Sequence, residues 1–258
     1  MISEQSKSAN PPPADDGSAM TLIDHLVELR RRLARASIAV ILGMAVGIFL
    51  VLGPFKLVDV IITTFAPLSD TPPVQSVGTA EEFTSYMTVA LAVGFILAMP
   101  VLVYQLLAFI VPGLTDRERR IIFIALPFVF FFFLAGIAFG WFITVPTAIH
   151  FLVGFSGSEL IESQPALADF IRTITMLLLI NGVVFELPVI IYVLAFLGVV
   201  TAQQLAKYRR FAVVGVTIIA AIITPTGDPI NLALLAIPMY FLYELGIILA
   251  RFVPKRAA

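Results

Sequence analysis

Three glutamates in this chain sit where a carboxylate needs a physical reason. Glu28 lies within His25-Leu26-Val27-Glu28-Leu29-Arg30-Arg31-Arg32-Leu33, and Glu118 within Asp116-Arg117-Glu118-Arg119-Arg120. Each is an acid set among arginines. Glu28 can pair with Arg31 or Arg32 at helical spacing, worth ~0.2–0.5 kcal/mol. Both segments stay basic, at +2 over Met20 to Arg35 and +1 over Thr115 to Arg120. Electrostatics alone therefore reads them as lipid-facing anchors with internal ion pairs.

The third is Glu186, in Phe185-Glu186-Leu187-Pro188, with no basic residue within four positions. It falls deep in an apolar run, where a carboxylate costs on the order of 3 kcal/mol and calls for a partner, a proton or a wet cavity. Two readings stay open: a polar lining or ion site, and a protonated side chain hydrogen-bonded between helices. Asp228 precedes Pro229 and has the position of a helix cap, because proline suits the first helical residue. Glu244 lies seven residues before Arg251, a place for an interfacial carboxylate. Other chemistry is excluded. The chain has no cysteine and only two histidines, His25 and His150, so neither thiolate chemistry nor a histidine metal cluster is available. No nucleophile elbow, zinc-protease helix or phosphate loop is present. We expect no catalytic residue, no metal and no cofactor, hence no enzyme.

The elements that position these residues are membrane helices. Hydrophobic residues make up 60% of the 258 and charged residues 13%, against about 25% charged in soluble domains. Six apolar segments run from Ala34 to Leu52, Tyr86 to Val111, Ile121 to Val145, Phe170 to Val200, Phe211 to Thr224 and Ile230 to Ala250. With both ends inside, 14 of the 16 bases fall on the cytoplasmic side and only Lys56 and Arg172 outside, as the positive-inside bias requires. The expectation is an all-α polytopic protein of six transmembrane helices, both termini cytoplasmic. Residues 1–19 read as a disordered polar tail and 20–252 as the membrane domain, opening with an amphipathic helix on Leu22, Leu26, Leu29 and Leu33. Residues 253–258 form a short cytoplasmic tail. The tail lacks a signal peptide's apolar stretch, so the first membrane helix serves as its own insertion signal.

Two spans read as short. Phe211 to Thr224 holds 14 residues, about 21 Å of helix against a hydrocarbon core of about 30 Å. The sixth has only Ile230 to Tyr243 before Glu244 interrupts it. Such a pair should thin the bilayer or admit water from one side. Pro100, Pro127, Pro188 and Pro238 lie within spans and permit bends. Trp141, about 31 Å along the third span at 1.5 Å per residue, reaches the outer interface that indoles favour.

The ordered motifs resemble the TatC family, the multi-span subunit of the twin-arginine protein translocase. The likeness spans Thr21 to Phe252. It rests on His25 to Leu33, Pro100-x-x-x-Tyr104-Gln105, Phe109-Ile110-x-Pro112-Gly113-Leu114, Glu118-Arg119-Arg120 and Phe185-Glu186-Leu187-Pro188. It continues through Thr224-Pro225, Asp228-Pro229, Ala236-Ile237-Pro238-Met239-Tyr240 and Tyr243-Glu244. The resemblance implies a concave bundle in the bacterial-type inner membrane. Its function would be that of a receptor for twin-arginine signal peptides of folded cargo, driven by the proton-motive force. Its partners would be single-span TatA-type and TatB-type proteins, further copies of itself and membrane lipids, with no nucleic acid. By position, the implied signal-peptide-binding residues are Glu28, Glu118, Arg30, Phe109 and Arg119. A carboxylate accepts two parallel hydrogen bonds from guanidinium, which lysine cannot supply. Glu186 would face the membrane cavity. Pro67, Thr224, Asp228 and Asn231 would serve partner docking or structure. Two departures stand out: Thr226-Gly227 replaces the family's second proline in the outer turn, and Leu232, beside Asn231, stands where the family commonly has glutamine. The alternative is a proton- or ion-coupled small-solute transporter using Glu186, although no inverted repeat supports that architecture.

Overall fold

The computed structural model describes residues 22–66, 74–110, 116–154, 165–224 and 228–253, together with their side chains except at 22–25, 107, 110, 116–119, 121, 122, 125, 153 and 154. The polar tail and Pro67 lie outside the described residues. Within them the chain is helical, and the one strand-like feature is an isolated parallel bridge between Gln75 and Ala166.

Helix α1 (Leu22–Leu52) packs antiparallel on α3 (Glu81–Ile110), and glycine permits the contact. A Cβ at Gly43 would fall on the Gly94 carbonyl, and one at Gly47 on the Ala90 carbonyl. Gly43-x-x-x-Gly47 thus faces Ala90-x-x-x-Gly94. Small residues one turn apart let two backbones touch, the usual basis of close helix pairing in lipid. Eleven residues further along both helices, the same register brings Arg32 to Gln105.

The polypeptide between them folds back as α2 (Leu57–Phe65), a short helix where sequence suggested only a loop. Helix α4 (Asp116–Phe139) passes through a π turn (Gly140–Thr144) into α5 (Val145–Gly154), so the third helix outruns the span expected to end at Val145. At the π turn, buried Thr144 donates its hydroxyl to Asn181 Oδ1 at 3.3 Å, and Asn181 Nδ2 donates to the Leu177 carbonyl at 2.8 Å. These bonds satisfy polar atoms that would otherwise be costly in an apolar interior.

The fourth apolar segment is two helices, α6 (Leu167–Val184) and α7 (Leu187–Phe196). Pro188 explains the break, since a proline ring clashes with the carbonyl four residues earlier, which here is that of Val184. Pro100, Pro127 and Pro238 sit inside continuous helices. A capping box follows: Thr201 Oγ1 accepts from the Gln204 amide and Gln204 Oε1 from the Thr201 amide, opening α8 (Ala202–Lys207). The last helices are α9 (Arg209–Ile223) and α10 (Pro229–Arg251).

Among the described residues, five helical stretches are long and apolar enough to cross a membrane: Leu26–Leu52, Glu81–Leu106, Leu126–Leu152, Leu167–Phe196 and Pro229–Arg251. The fifth predicted span, α9, has 15 residues, about 22 Å at 1.5 Å per residue, and is the short one. The expectation of a second short helix is corrected. α10 runs unbroken for 23 residues through Glu244, because that carboxylate is paired and does not end the helix. Outward faces are apolar: Phe131 and Phe142 are 67% and 75% exposed, a surface suited to lipid and not to water.

The bundle has two unlike ends. At one, α2 lies over the helix ends, with Phe65 against Trp141 edge to face at 4.7 Å. Val58, Ala148, Phe170 and Ile171 are buried in the same cluster. Glu81 closes this cap, its Oε1 accepting from the Ala168 amide at 2.7 Å and its Oε2 from the amides of Val77 and Gly78. The opposite, basic end carries the starts of α1, α4 and α9 and the end of α10.

Candidate functional site

At the basic end the α1–α3 register places Glu28, Arg32 and Gln105 together. Arg32 donates from Nε to Glu28 Oε1 at 2.9 Å, and from Nη2 to the same oxygen. Its Nη1 reaches Gln105 Oε1 at 3.5 Å. Of the two local partners foreseen for Glu28, the helix selects Arg32, four residues on. The pair is side-on: both donors go to one oxygen. Glu28 Oε2 is buried and has no hydrogen-bond partner among the described residues. Such an oxygen retains its capacity to accept, and leaving it unfilled is costly.

Around this cluster, Tyr104 of α3 meets Phe123 of α4 at 5.9 Å, which brings the first turns of α4 to the end of the bundle where α1 begins. Glu118 and Arg119 belong to the first turn of α4, and their side chains lie outside the described residues. Phe109 is half-buried near the end of α3. Arg30 is exposed, pointing away from the Glu28–Arg32 pair.

A second carboxylate cluster at the same end is saturated. Glu244 Oε2 accepts from Arg209 Nη2 at 2.7 Å, and Oε1 from the Tyr240 hydroxyl at 3.1 Å. The Tyr243 hydroxyl donates to the Leu205 carbonyl at 2.8 Å. Together these tie α8 and α9 to α10.

Glu186 sits at the α6–α7 break. It is 5% exposed, and its Oε1 has no hydrogen-bond partner among the described residues. Val184, Phe185 and Leu187 beside it pack in the cluster formed by Val216, Ala220, Leu235 and Met239. The site is therefore buried within protein and not turned to lipid. At the turn between α9 and α10, Asp228 is the cap its position predicted: Oδ1 accepts from the amides of Ile230 at 3.1 Å and Asn231 at 2.8 Å. Asp228 Oδ2 accepts from Asn231 Nδ2 at 2.8 Å. Thr224 is buried and donates its hydroxyl to the Ala220 carbonyl. These three polar residues have local structural work. The described residues contain no group of three or more histidine, cysteine or carboxylate side chains suited to a metal.

Sequence reasoning named Arg32 among the partners of Glu28 but assigned no role to Gln105 beside them, nor to Glu81 in the cap. The signal for Gln105 was available in the facing glycine and alanine steps, which fix the register. The Glu81 contact with Ala168 joins segments 87 residues apart and has no local signature.

The sequence model of the family described as Sec-independent protein translocase protein (TatC) matches residues 24–238. The chain belongs to the TatC family. It is 40% identical over 246 residues to the Sec-independent protein translocase protein TatC of Deinococcus radiodurans, covering 93% of this chain and 89% of that one. The TatC protein of Aquifex aeolicus is 33% identical over 240 residues, with 92% and 97% covered. A crystal structure described as the twin-arginine translocase receptor TatC superposes with a TM-score of 0.74 at 31% identity, covering 90% of this chain and all of that one. The protein is thus a multi-pass membrane component of a Sec-independent, twin-arginine translocase, as the motif resemblance implied.

Proposed function

We propose that this TatC-family protein is the receptor subunit of its translocase. In this reading it binds the paired arginines of export signal peptides at the basic end, which faces the cytoplasm together with both termini. The observation that carries the reading is the half-occupied Glu28 carboxylate. Arg32 and Gln105 hold it in place through one oxygen, and the other is left to accept from an incoming guanidinium. Arg32 offsets the cost of keeping Glu28 ionised before the ligand arrives. In this reading Glu118, in the first turn of α4, supplies the second carboxylate, and Phe109, Arg119 and Arg30 complete the peptide-binding residues. The planar fork of arginine matches a carboxylate in two hydrogen bonds and lysine does not, so two acids suffice to select an Arg-Arg pair. Single-span TatA-type and TatB-type subunits then assemble on the complex in the inner membrane, and the proton-motive force drives transport.

The test is crosslinking in membranes of photoreactive signal peptides bearing Arg-Arg or Lys-Lys. Glu118→Gln is expected to abolish the Arg-Arg adduct while insertion and abundance stay unchanged. Equal adducts from Arg-Arg and Lys-Lys peptides in the unmodified protein would remove the receptor reading.

A further inference from the structure

Arg172 is a cation in an unusual place. It lies five residues inside α6, in the stretch Leu167–Phe196 that is long and apolar enough to cross a membrane. At 1.5 Å per residue, that is about 8 Å below the start of the helix. Its side chain is exposed on the outside of the bundle at the α2 end. Among the described residues it makes no hydrogen bond or ion pair. The described acids at that end do not serve it. Glu81 is occupied by three backbone amides, and Asp169, one turn away, forms no ion pair with it. Glu82 and Asp59 are exposed and form none either.

Beside Arg172, residues of α3 and α6 line a groove of about 430 Å³. Arg172 stands at its mouth with Thr88, and Leu91, Phe95, Met176 and Leu179 form its walls. A guanidinium without an ion-pair partner among the described residues, above an apolar trough, complements one molecule class: an anionic head joined to a hydrocarbon chain.

We propose that Arg172 and the α3–α6 groove bind one anionic glycerophospholipid from the leaflet at the α2 end. Its phosphate accepts from the Arg172 guanidinium, which can present two parallel donors, and one acyl chain lies along Leu91, Phe95, Met176 and Leu179. Basic pockets between membrane helices hold lipid head groups by this combination. The bound lipid gives the exposed guanidinium a counter-charge near the outer end of α6.

The test is native mass spectrometry of the delipidated full-length protein, titrated with phosphatidylglycerol, with phosphatidylcholine of the same chains, or with inorganic phosphate. Phosphatidylglycerol is expected to bind about fivefold more tightly than phosphatidylcholine, a preference lost in Arg172→Gln. Leu91→Trp, which narrows the groove from its exposed wall, is expected to weaken both lipids alike. Displacement of the lipid by inorganic phosphate would overturn the proposal. So would equal binding of the two lipids, unchanged phosphatidylglycerol affinity in Arg172→Gln, or unchanged affinity in Leu91→Trp. Thermal unfolding in detergent verifies that both variants remain folded.

Discussion

Two carboxylate–arginine pairs stand at the basic end, one within α1 and one between α9 and α10, and they differ in how each carboxylate is used. Glu244 gives one oxygen to Arg209 and the other to Tyr240. Glu28 receives both Arg32 donors on a single oxygen, and its second oxygen is buried with no hydrogen-bond partner among the described residues. The two also differ in sequence: Arg32 is four residues from Glu28, and Arg209 is 35 residues from Glu244. The difference teaches that an ion pair reveals little about function until the partners of each oxygen are counted. Glu244 is finished, whereas Glu28 is oriented and incomplete.

The comparison breaks most severely if the α1–α3 register is lost. Gly47→Leu would drive a side chain into the Ala90 backbone, which cannot yield as a flexible side chain would. Overpacking of this kind costs about 3 kcal/mol or more. The expected outcome is loss of Arg-Arg peptide crosslinking together with a lowered melting temperature in detergent. Spectroscopic distances between labels on α8 and α10 should stay unchanged, because the Glu244 cluster does not depend on α1. A change in both clusters would show that the two are coupled.

Glu28→Gln is the next largest. Hydrogen bonds to charged groups are worth about 1.5–3 kcal/mol, so peptide affinity should fall by about 10- to 100-fold. Glu244→Gln should leave it within about twofold. Peptide binding by crosslinking or fluorescence anisotropy on purified protein decides between them, and equal losses would end the distinction drawn from the partners of each oxygen.

Much of this fold was legible in the sequence because lipid imposes simple rules. Apolar length located the helices, charge placement grouped the arginines at one end, and Asp228-Pro229 announced the start of α10. What was not legible depended on contacts between distant segments. Glu244 read as an interruption of the last span because Arg209 is 35 residues away. Helix α2 was hidden in a loop because its apolar face is explained only by the cluster it covers. For the site, Glu28 was visible as an acid needing explanation, and position in the family motif pointed to recognition. That its second oxygen stands open is a matter of side-chain geometry, and no spacing rule encodes it.

Arg209→Ala should have a small effect on the saturated cluster. Its guanidinium is 45% exposed and Glu244 is 25% exposed, and ion pairs of that kind contribute about 0.2–1 kcal/mol. The Tyr240 hydroxyl and the Tyr243 bond to Leu205 remain. A slight fall in melting temperature with normal peptide binding is expected. A large loss of binding would mean that α8 and α9 belong to the recognition surface.

Gln105→Ala separates orientation from charge. At 3.5 Å, its contact with Arg32 is long for a hydrogen bond, so little stability should be lost with it. Its use is to limit where the Arg32 guanidinium can swing, and thereby to keep both donors on Glu28 Oε1. Without it, Arg32 can rotate to fork across both carboxylate oxygens, which is the arrangement an arginine prefers. The internal pair would then compete with the incoming peptide. The expected result is peptide affinity reduced about threefold, of order 0.6 kcal/mol, at unchanged melting temperature. Gln105→Glu should instead draw Arg32 away from Glu28 and spare the second oxygen, giving affinity at or above that of the unmodified protein. If both substitutions weaken binding equally, Gln105 touches the peptide itself and the open oxygen of Glu28 is not kept open by Arg32.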